Sequence, residues 1–190
     1  PTAGSGNAPT LRALTHDDGP ADRNTGEMLE VMKEENVKAT FFLSGQNAER
    51  YPQLVKRIWA EGHEIGNHAY AHPNIGAIPL TQARLELNAT ERVFQSLLHR
   101  STLLFRPPYN ADAEPTSREE VVPVVLASDL NYITVLEFLD PQDWNTEERL
   151  PNGRLRHRTA EEMLKTLELQ LEAEHGSCIL LHDGGGNRAE

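Results

Sequence analysis

Apolar positions along the chain fall into short runs separated by stretches with helical spacing. Leu11-Arg12-Ala13-Leu14 reads as a strand, closed by the turn signal Gly19-Pro20. Met28, Leu29, Val31 and Met32 supply a helix face up to about Glu35, and Asn24 with Glu27 has the spacing of a capping box. Ala39 to Leu43 is a Phe-rich strand. Pro52 sits where a first-turn proline would, Leu54, Val55, Ile58 and Trp59 form the next helix face, and Gly62 ends it. His63-Glu64-Ile65-Gly66 follows as a short strand. Thr81 is the expected cap of a helix carrying Leu85, Val93, Phe94, Leu97 and Leu98. Leu103-Leu104-Phe105 is a strand, Ser117 caps a helix through Leu130 with Pro123 as a candidate break, and Tyr132 to Leu136 is another strand. Thr159 and Glu162 form a second capping box before Met163, Leu164, Leu167 and Leu171, and Ser177 to Leu181 is the last strand. Gly153 to Arg158, with three arginines, reads as a solvated loop.

Alternating strands and helices favour parallel βαβ units, hence an α/β barrel or a doubly wound sheet. A length of 190 residues suits one domain with its own core. Residues 1–10, rich in Gly, Pro, Ala and Ser, read as a linker, and 11–190 as the domain. The formal net charge of -11 repels nucleic acid and anionic membrane, but not a neutral sugar polymer. Cys178 is the one cysteine; within Cys178-Ile179-Leu180-Leu181 it reads as a buried small hydrophobe. No apolar run reaches the ~20 residues of a membrane helix, and no signal segment is visible.

Five polar clusters fall at the C-terminal ends of the expected strands: Asp17-Asp18, His68 with His72, Arg106, Asp140 with Asp143, and His182-Asp183. In parallel α/β folds that edge of the sheet is where sites are built. A turn at Gly19-Pro20 would let both aspartates face one centre, and paired carboxylates are costly unless a cation separates them. His68 and His72, four apart, could reach one metal from a helical turn. With a carboxylate they make a two-His, one-Asp set that suits Zn²⁺ and could also hold Fe(II), Co(II) or Ni(II). Two prolines after Arg106 stiffen its loop. Each cluster alone also has an ordinary reading: turn aspartates, satisfied histidines, a surface arginine. Trp144 suits a sugar-stacking wall or core packing. Gly184-Gly185-Gly186 lacks the Gly-Lys-Ser/Thr ending of a phosphate loop. His63, His99, His157 and His175 join no cluster and read as structural or exposed.

Taken together, Thr15-His16-Asp17-Asp18-Gly19-Pro20, His68 through His72-Pro73, Arg106-Pro107-Pro108-Tyr109, Asp140-Pro141-Gln142-Asp143-Trp144 and Leu180-Leu181-His182-Asp183 resemble the five motifs of the polysaccharide deacetylases, in order. This family is the NodB homology domain, or carbohydrate esterase family 4. The resemblance implies a distorted (β/α) barrel and metal-dependent removal of acetyl groups from a carbohydrate polymer outside the cytoplasm. It implies Asp18, His68 and His72 as metal ligands, with Zn²⁺ first and Co²⁺ or Ni²⁺ as alternatives. It also implies Asp17 as general base, His182 as general acid, and Arg106 and Asp140 as the groups that orient them. The Tyr109 backbone N–H is implied as an oxyanion donor, and Trp144 and Leu180 as the acetyl pocket.

An O-acetyl esterase, a hydrolase of small amides or imides, and a non-catalytic sugar-binding module are the rival readings on the same scaffold. Three departures from the family pattern stand out. His16 replaces a usual Phe and is expected to point away from the site. Asn110 stands where Gly is common. The family usually continues with another helix and strand where this sequence stops at Glu190, so either the sequence is truncated or the barrel closes differently. The acidic stretch Ala111 to Glu120 resembles deacetylase domains fused to a glycosyltransferase domain.

Overall fold

The computed structural model describes residues 12–109, 116–136, 139–173 and 178–185. Leu11, Asn110, Ala111 to Pro115, His175 and Ser177 lie outside them, so the expectations that fall there have no structural counterpart. The elements run β1 (Ala13–Asp17), α1 (Asp22–Glu34), β2 (Thr40–Leu43), α2 (Gly45–Arg50), α3 (Pro52–Ala60), β3 (Glu64–Asn67), α4 (Leu80–Leu98), β4 (Leu104–Phe105), α5 (Arg118–Asp129), β5 (Ile133–Thr134), β6 (Glu147–Arg149), β7 (Leu155–His157), α6 (Ala160–Ala173) and β8 (Cys178–His182).

Six strands form one parallel sheet in the order β5-β4-β3-β2-β1-β8, the α/β arrangement that the alternation predicts. The sheet is curled, and chain reach shows why. Leu139 bridges in parallel to Ile179 of β8. Laid flat, at about 4.8 Å per strand, β5 and the far side of β8 would stand roughly 29 Å apart. The five residue steps from Thr134 to Leu139 span at most about 18 Å, so the two edges must bend toward each other. The result is a curled half-barrel.

Helices cover its outer face. Leu29, Phe41, Leu43, Val55, Ile58 and Phe94 form one buried cluster among α1, β2, α3 and α4. Ala69, Ile75, Leu87, Phe105 and Leu126 form a second. Burying such side chains is worth about 1.5–3 kcal/mol each.

Several local expectations change. α1 starts at Asp22, not after Asn24, because Thr25 Oγ1 accepts the Ala21 N–H (2.7 Å), while Glu27 pairs with Arg23 on the surface. α4 starts at Leu80 with Pro79 as its cap, so Thr81 lies inside the first turn. Ser117–Glu120 and Thr159–Glu162 do form reciprocal capping boxes. Pro123 does not interrupt α5, whose sixth residue it is. Residues 153–158 are not a loose loop: β6 and β7 pair antiparallel, and Gly153 takes the left-handed turn (φ 80°). Arg158 then donates to the carbonyls of Pro141, Gln142 and Asn145 (3.1, 2.7 and 3.0 Å), fixing the 141–145 loop.

Candidate active site and metal centre

The site is built on one line across the sheet. In register, Asp17 stands beside Phe42 on one side and His182 on the other, Leu43 beside Asn67, and Asn67 beside Phe105. His68 and Arg106 each follow the last residue of their strand, so parallel pairing alone brings Asp17, His68, Arg106 and His182 to one edge.

Asp17 and Asp18 reach the same centre through a backbone turn one residue earlier than the sequence suggested. Asp18 takes a positive φ (71°), which cancels the strand alternation that would send the two carboxylates to opposite faces. Behind them, Asp183 is fully buried and accepts from Thr25 Oγ1 (2.5 Å). Burial, opposed by that hydroxyl, pushes its carboxyl from 3.8 up to about 7.

His68 and His72 do not share a helical turn. The segment between them is irregular, with Ala69 (φ 62°) and His72 (φ 56°) in the left-handed region, which costs roughly 1–2 kcal/mol per non-glycine residue. Asn67 Oδ1 holds the Ala69 N–H at 2.9 Å.

Asp18 Oδ1 lies 2.8 Å from His72 Nε2 and 3.3 Å from His68 Nε2. One ligand atom from each of the three residues falls within 4.8 Å of the others. A tetrahedral Zn²⁺ with bonds of roughly 2.0–2.1 Å would set its ligand atoms about 3.3 Å apart, so the spacing fits a shared divalent ion. Two further features agree. Asp18 Oδ1 is buried yet accepts no aligned hydrogen bond among the described residues. His68 Nδ1 stands 2.8 Å from the Arg106 carbonyl, which can only accept, so Nδ1 carries a proton and Nε2 is the atom turned to the carboxylate. Burial lowers the His68 pKa, but Asp17 and Asp18 outweigh it and raise the group, so a proton on Nε2 fills the place that a shared cation would take. Burial raises the Asp18 pKa, but His68 and His72 outweigh it and hold the carboxyl well below its usual range.

Arg106 is fully buried beneath Asp17. Its Nη1 donates to Asp17 Oδ1 (2.8 Å) and Thr15 Oγ1 (2.7 Å), its Nη2 to Cys178 Sγ (3.2 Å), and its Nε to the Val135 carbonyl (3.2 Å). The guanidinium also stacks 4.3 Å from the Phe42 ring centre. Cys178 is buried as expected, and its thiol is also an acceptor in this cradle. Arg106 turns Asp17 so that Oδ2 lies 3.8 Å from His68 Nε2. His16 is buried away from the cluster, stacked on Phe41 (5.1 Å).

The carboxylate on His182 is Asp143, which corrects the expectation for Asp140. Asp143 Oδ1 lies 2.8 Å from His182 Nδ1, and Oδ2 accepts the His182 backbone N–H at 2.9 Å. Asp140 instead accepts the Gln142 N–H (2.6 Å) and bonds the Trp144 side chain. The reason is the turn between them: Gln142 has a positive φ (56°), which swings Asp143 toward β8 and leaves Asp140 on the cavity wall, hydrogen-bonded within its own loop. Burial lowers the His182 pKa, but Asp143, with Asp17 and Asp18, outweighs it and raises the group. Burial raises the Asp140 carboxyl.

Tyr109, Trp144 and Leu180 line a cavity of about 670 Å³ that also opens on Asp18, His72 and His182. Tyr109 (71% exposed) sets its ring edge on His72, 4.7 Å away, and Trp144 is 42% exposed, so both rings remain open to a ligand. Sequence reasoning missed the roles of Asp183 and Asp143, and it missed Glu86, which touches the histidine loop from α4. Glu86 carries no local signal at all.

The polysaccharide deacetylase family model matches residues 6–122. A peptidoglycan-N-acetylglucosamine deacetylase of Bacillus cereus is 40% identical over 132 residues, 70% of this chain and 46% of the relative. The chain thus spans less than half of that relative's length. A chitooligosaccharide deacetylase of Sinorhizobium fredii is 31% identical over 185 residues, 97% of this chain and 76% of the relative. Among solved structures, a peptidoglycan N-acetylglucosamine deacetylase in complex with 4-naphthalen-1-yl-N-oxidanyl-benzamide superposes with a TM-score of 0.74 at 34% identity, over 93% of this chain and 73% of that one. By the match of family, fold and motif order, this chain belongs to the polysaccharide deacetylases.

Proposed function

We propose that this chain is the catalytic domain of a metal-dependent deacetylase that removes N-acetyl groups from N-acetylglucosamine units of a cell-wall or exopolysaccharide polymer, outside the cytoplasm. The observation that carries the reading is the placement of a carboxylate, Asp17, and an imidazole, His182, in register on neighbouring strands beside the Asp18–His68–His72 cluster. The names of the relatives support the substrate class. The acidic stretch after Tyr109 suggests a glycosyltransferase domain as companion in a longer protein. No helix among the described residues is long and apolar enough to cross a membrane.

An amide is a poor electrophile with a poor leaving group, so its hydrolysis needs an activated water, oxyanion stabilisation and a protonated nitrogen. Asp18, His68 and His72 would hold the divalent ion, Zn²⁺ by donor chemistry, with Co²⁺ or Ni²⁺ as alternatives. When bound, such an ion polarises the acetyl carbonyl and lowers the pKa of water toward ~7. Asp17, oriented by Arg106, takes the proton of the attacking water. The Tyr109 backbone N–H donates to the developing oxyanion, an interaction typically worth roughly 3–4 kcal/mol. His182, kept cationic by Asp143, gives its proton to the departing amine. Trp144 and Leu180 enclose the acetyl methyl, and Asp140 acts through Trp144 by holding its indole.

The test is acetate release from peptidoglycan, chitin oligomers and acetylated xylan with Zn²⁺ or Co²⁺ added. Release from the first two is expected. No release from any substrate, by protein that is folded and metal-loaded, would refute the reading.

A further inference from the structure

We propose that Glu86 is a positioning residue that clamps the His68–His72 loop into its metal-ligating shape. This rests on the reading of Asp18, His68 and His72 as a metal centre. The segment between the histidines is irregular, and its Tyr70 and Ala71 amides find their acceptor outside it. One oxygen, Glu86 Oε2 on α4, accepts both the Tyr70 N–H (3.0 Å) and the Ala71 N–H (2.7 Å). On the other side, the first amides of α2 grip the loop carbonyls, Gly45 N to Ala69 O (2.9 Å) and Gln46 N to Tyr70 O (3.0 Å). The loop is therefore held between two helices, with Glu86 supplying the grip from α4.

The two histidines depend on that grip unequally. His68 follows β3 directly, and its ring is fixed by the Arg106 carbonyl. His72 lies four residues further on, with left-handed φ values at Ala69 and at His72 itself. Its ring contacts are with Asp18, Tyr109 and His68, groups of the site itself. Its backbone position is thus set by the loop, and the last fixed amide before it is that of Ala71, on Glu86. Releasing Glu86 lets His72 drift while His68 stays in place.

The test compares wild type with E86A, E86D, E86Q and, as a control on the same helix, N88A, an exposed position. Each protein is titrated with Zn²⁺ against a competing chelator, Co²⁺ spectra are recorded, and the urea midpoint of the metal-free form is measured. Because both amides bond to a single oxygen, an amide oxygen can replace it. E86Q and N88A are therefore expected within about threefold of wild-type affinity, whereas E86A and the shorter E86D lose about 10- to 100-fold. The Co²⁺ spectra of E86A and E86D should report loss of one imidazole.

Wild-type affinity in E86A, or an E86Q as weak as E86A, overturns the clamp. Should E86A not fold, the E86D and E86Q pair decides, and the reverse order of affinities overturns it. A wild-type protein that takes up no Zn²⁺ would instead sink the metal centre itself.

Discussion

Replacing Asp143 by Asn separates the role of the carboxylate from its shape. In the native protein both oxygens are engaged, one on the His182 backbone N–H (2.9 Å) and one on Nδ1 (2.8 Å). In D143N the backbone donor still demands the amide oxygen. The NH₂ group must then face Nδ1, which can meet it only as a lone pair. An imidazolium has N–H on both nitrogens, so the acid form of His182 loses its partner and gains a clash of donors. If His182 protonates the leaving amine, kcat for an N-acetylglucosamine tetramer should fall about 10²- to 10⁴-fold, equivalent to roughly 2.7–5.4 kcal/mol of barrier.

The pH profile carries the sign. Asp143 raises the His182 pKa against burial, so the acid form persists to higher pH; without that charge the alkaline limb should move to lower pH. Hydrolysis of 4-nitrophenyl acetate, whose leaving group departs without a proton, should change less than about tenfold. D140N should move the alkaline limb less than D143N does and cost less than about tenfold, because Asp140 hydrogen-bonds its own loop and Trp144 and acts on His182 through its charge alone. A D143N enzyme within about fivefold of wild type on the oligosaccharide, or equally crippled on both substrates, would refute the acid assignment.

Gly185→Ala should weaken Zn²⁺ binding at least about tenfold in chelator competition, because Gly185 has a positive φ (61°) and any Cβ there would collide with Asp18 Oδ2; an unchanged affinity would show that the glycine run is incidental. Asp183→Asn should change how stability of the metal-free protein depends on pH. Between roughly pH 4 and 7 the folded state keeps a proton on Asp183 that the unfolded chain has released, so native stability falls as pH rises through that window, by up to about 1.4 kcal/mol per unit. D183N, neutral throughout, should gain on wild type in urea midpoint across the same window, and parallel curves would contradict the burial of a protonated acid.

The sequence by itself determined the layers and which polar residues meet at one edge of the sheet. Strands and helices alternate, so the strands run parallel, and parallel strands put Asp17, His68, Arg106 and His182 on one edge wherever else they lie in the chain. Residue type and order also singled out Asp18, His68 and His72, whose ligand atoms the fold brings within 4.8 Å of one another. Helix starts were legible where a cap forms its own box, at Ser117 and Thr159. They were misread where a distant demand won, as at Thr25, whose hydroxyl serves both the Ala21 amide and Asp183.

What only the tertiary structure decided is direction. Single left-handed residues, Asp18, Ala69, His72 and Gln142, choose which side chain faces the centre, and none of the four is a glycine that would have marked the turn. For that reason Asp143 rather than Asp140 meets His182. Glu86 and Asp183 matter through contacts across the fold, with backbone amides 15 and 16 residues away and a hydroxyl 158 residues away. Spacing along a chain encodes a contact only where the backbone between is a regular helix or strand; across loops, packing sets it.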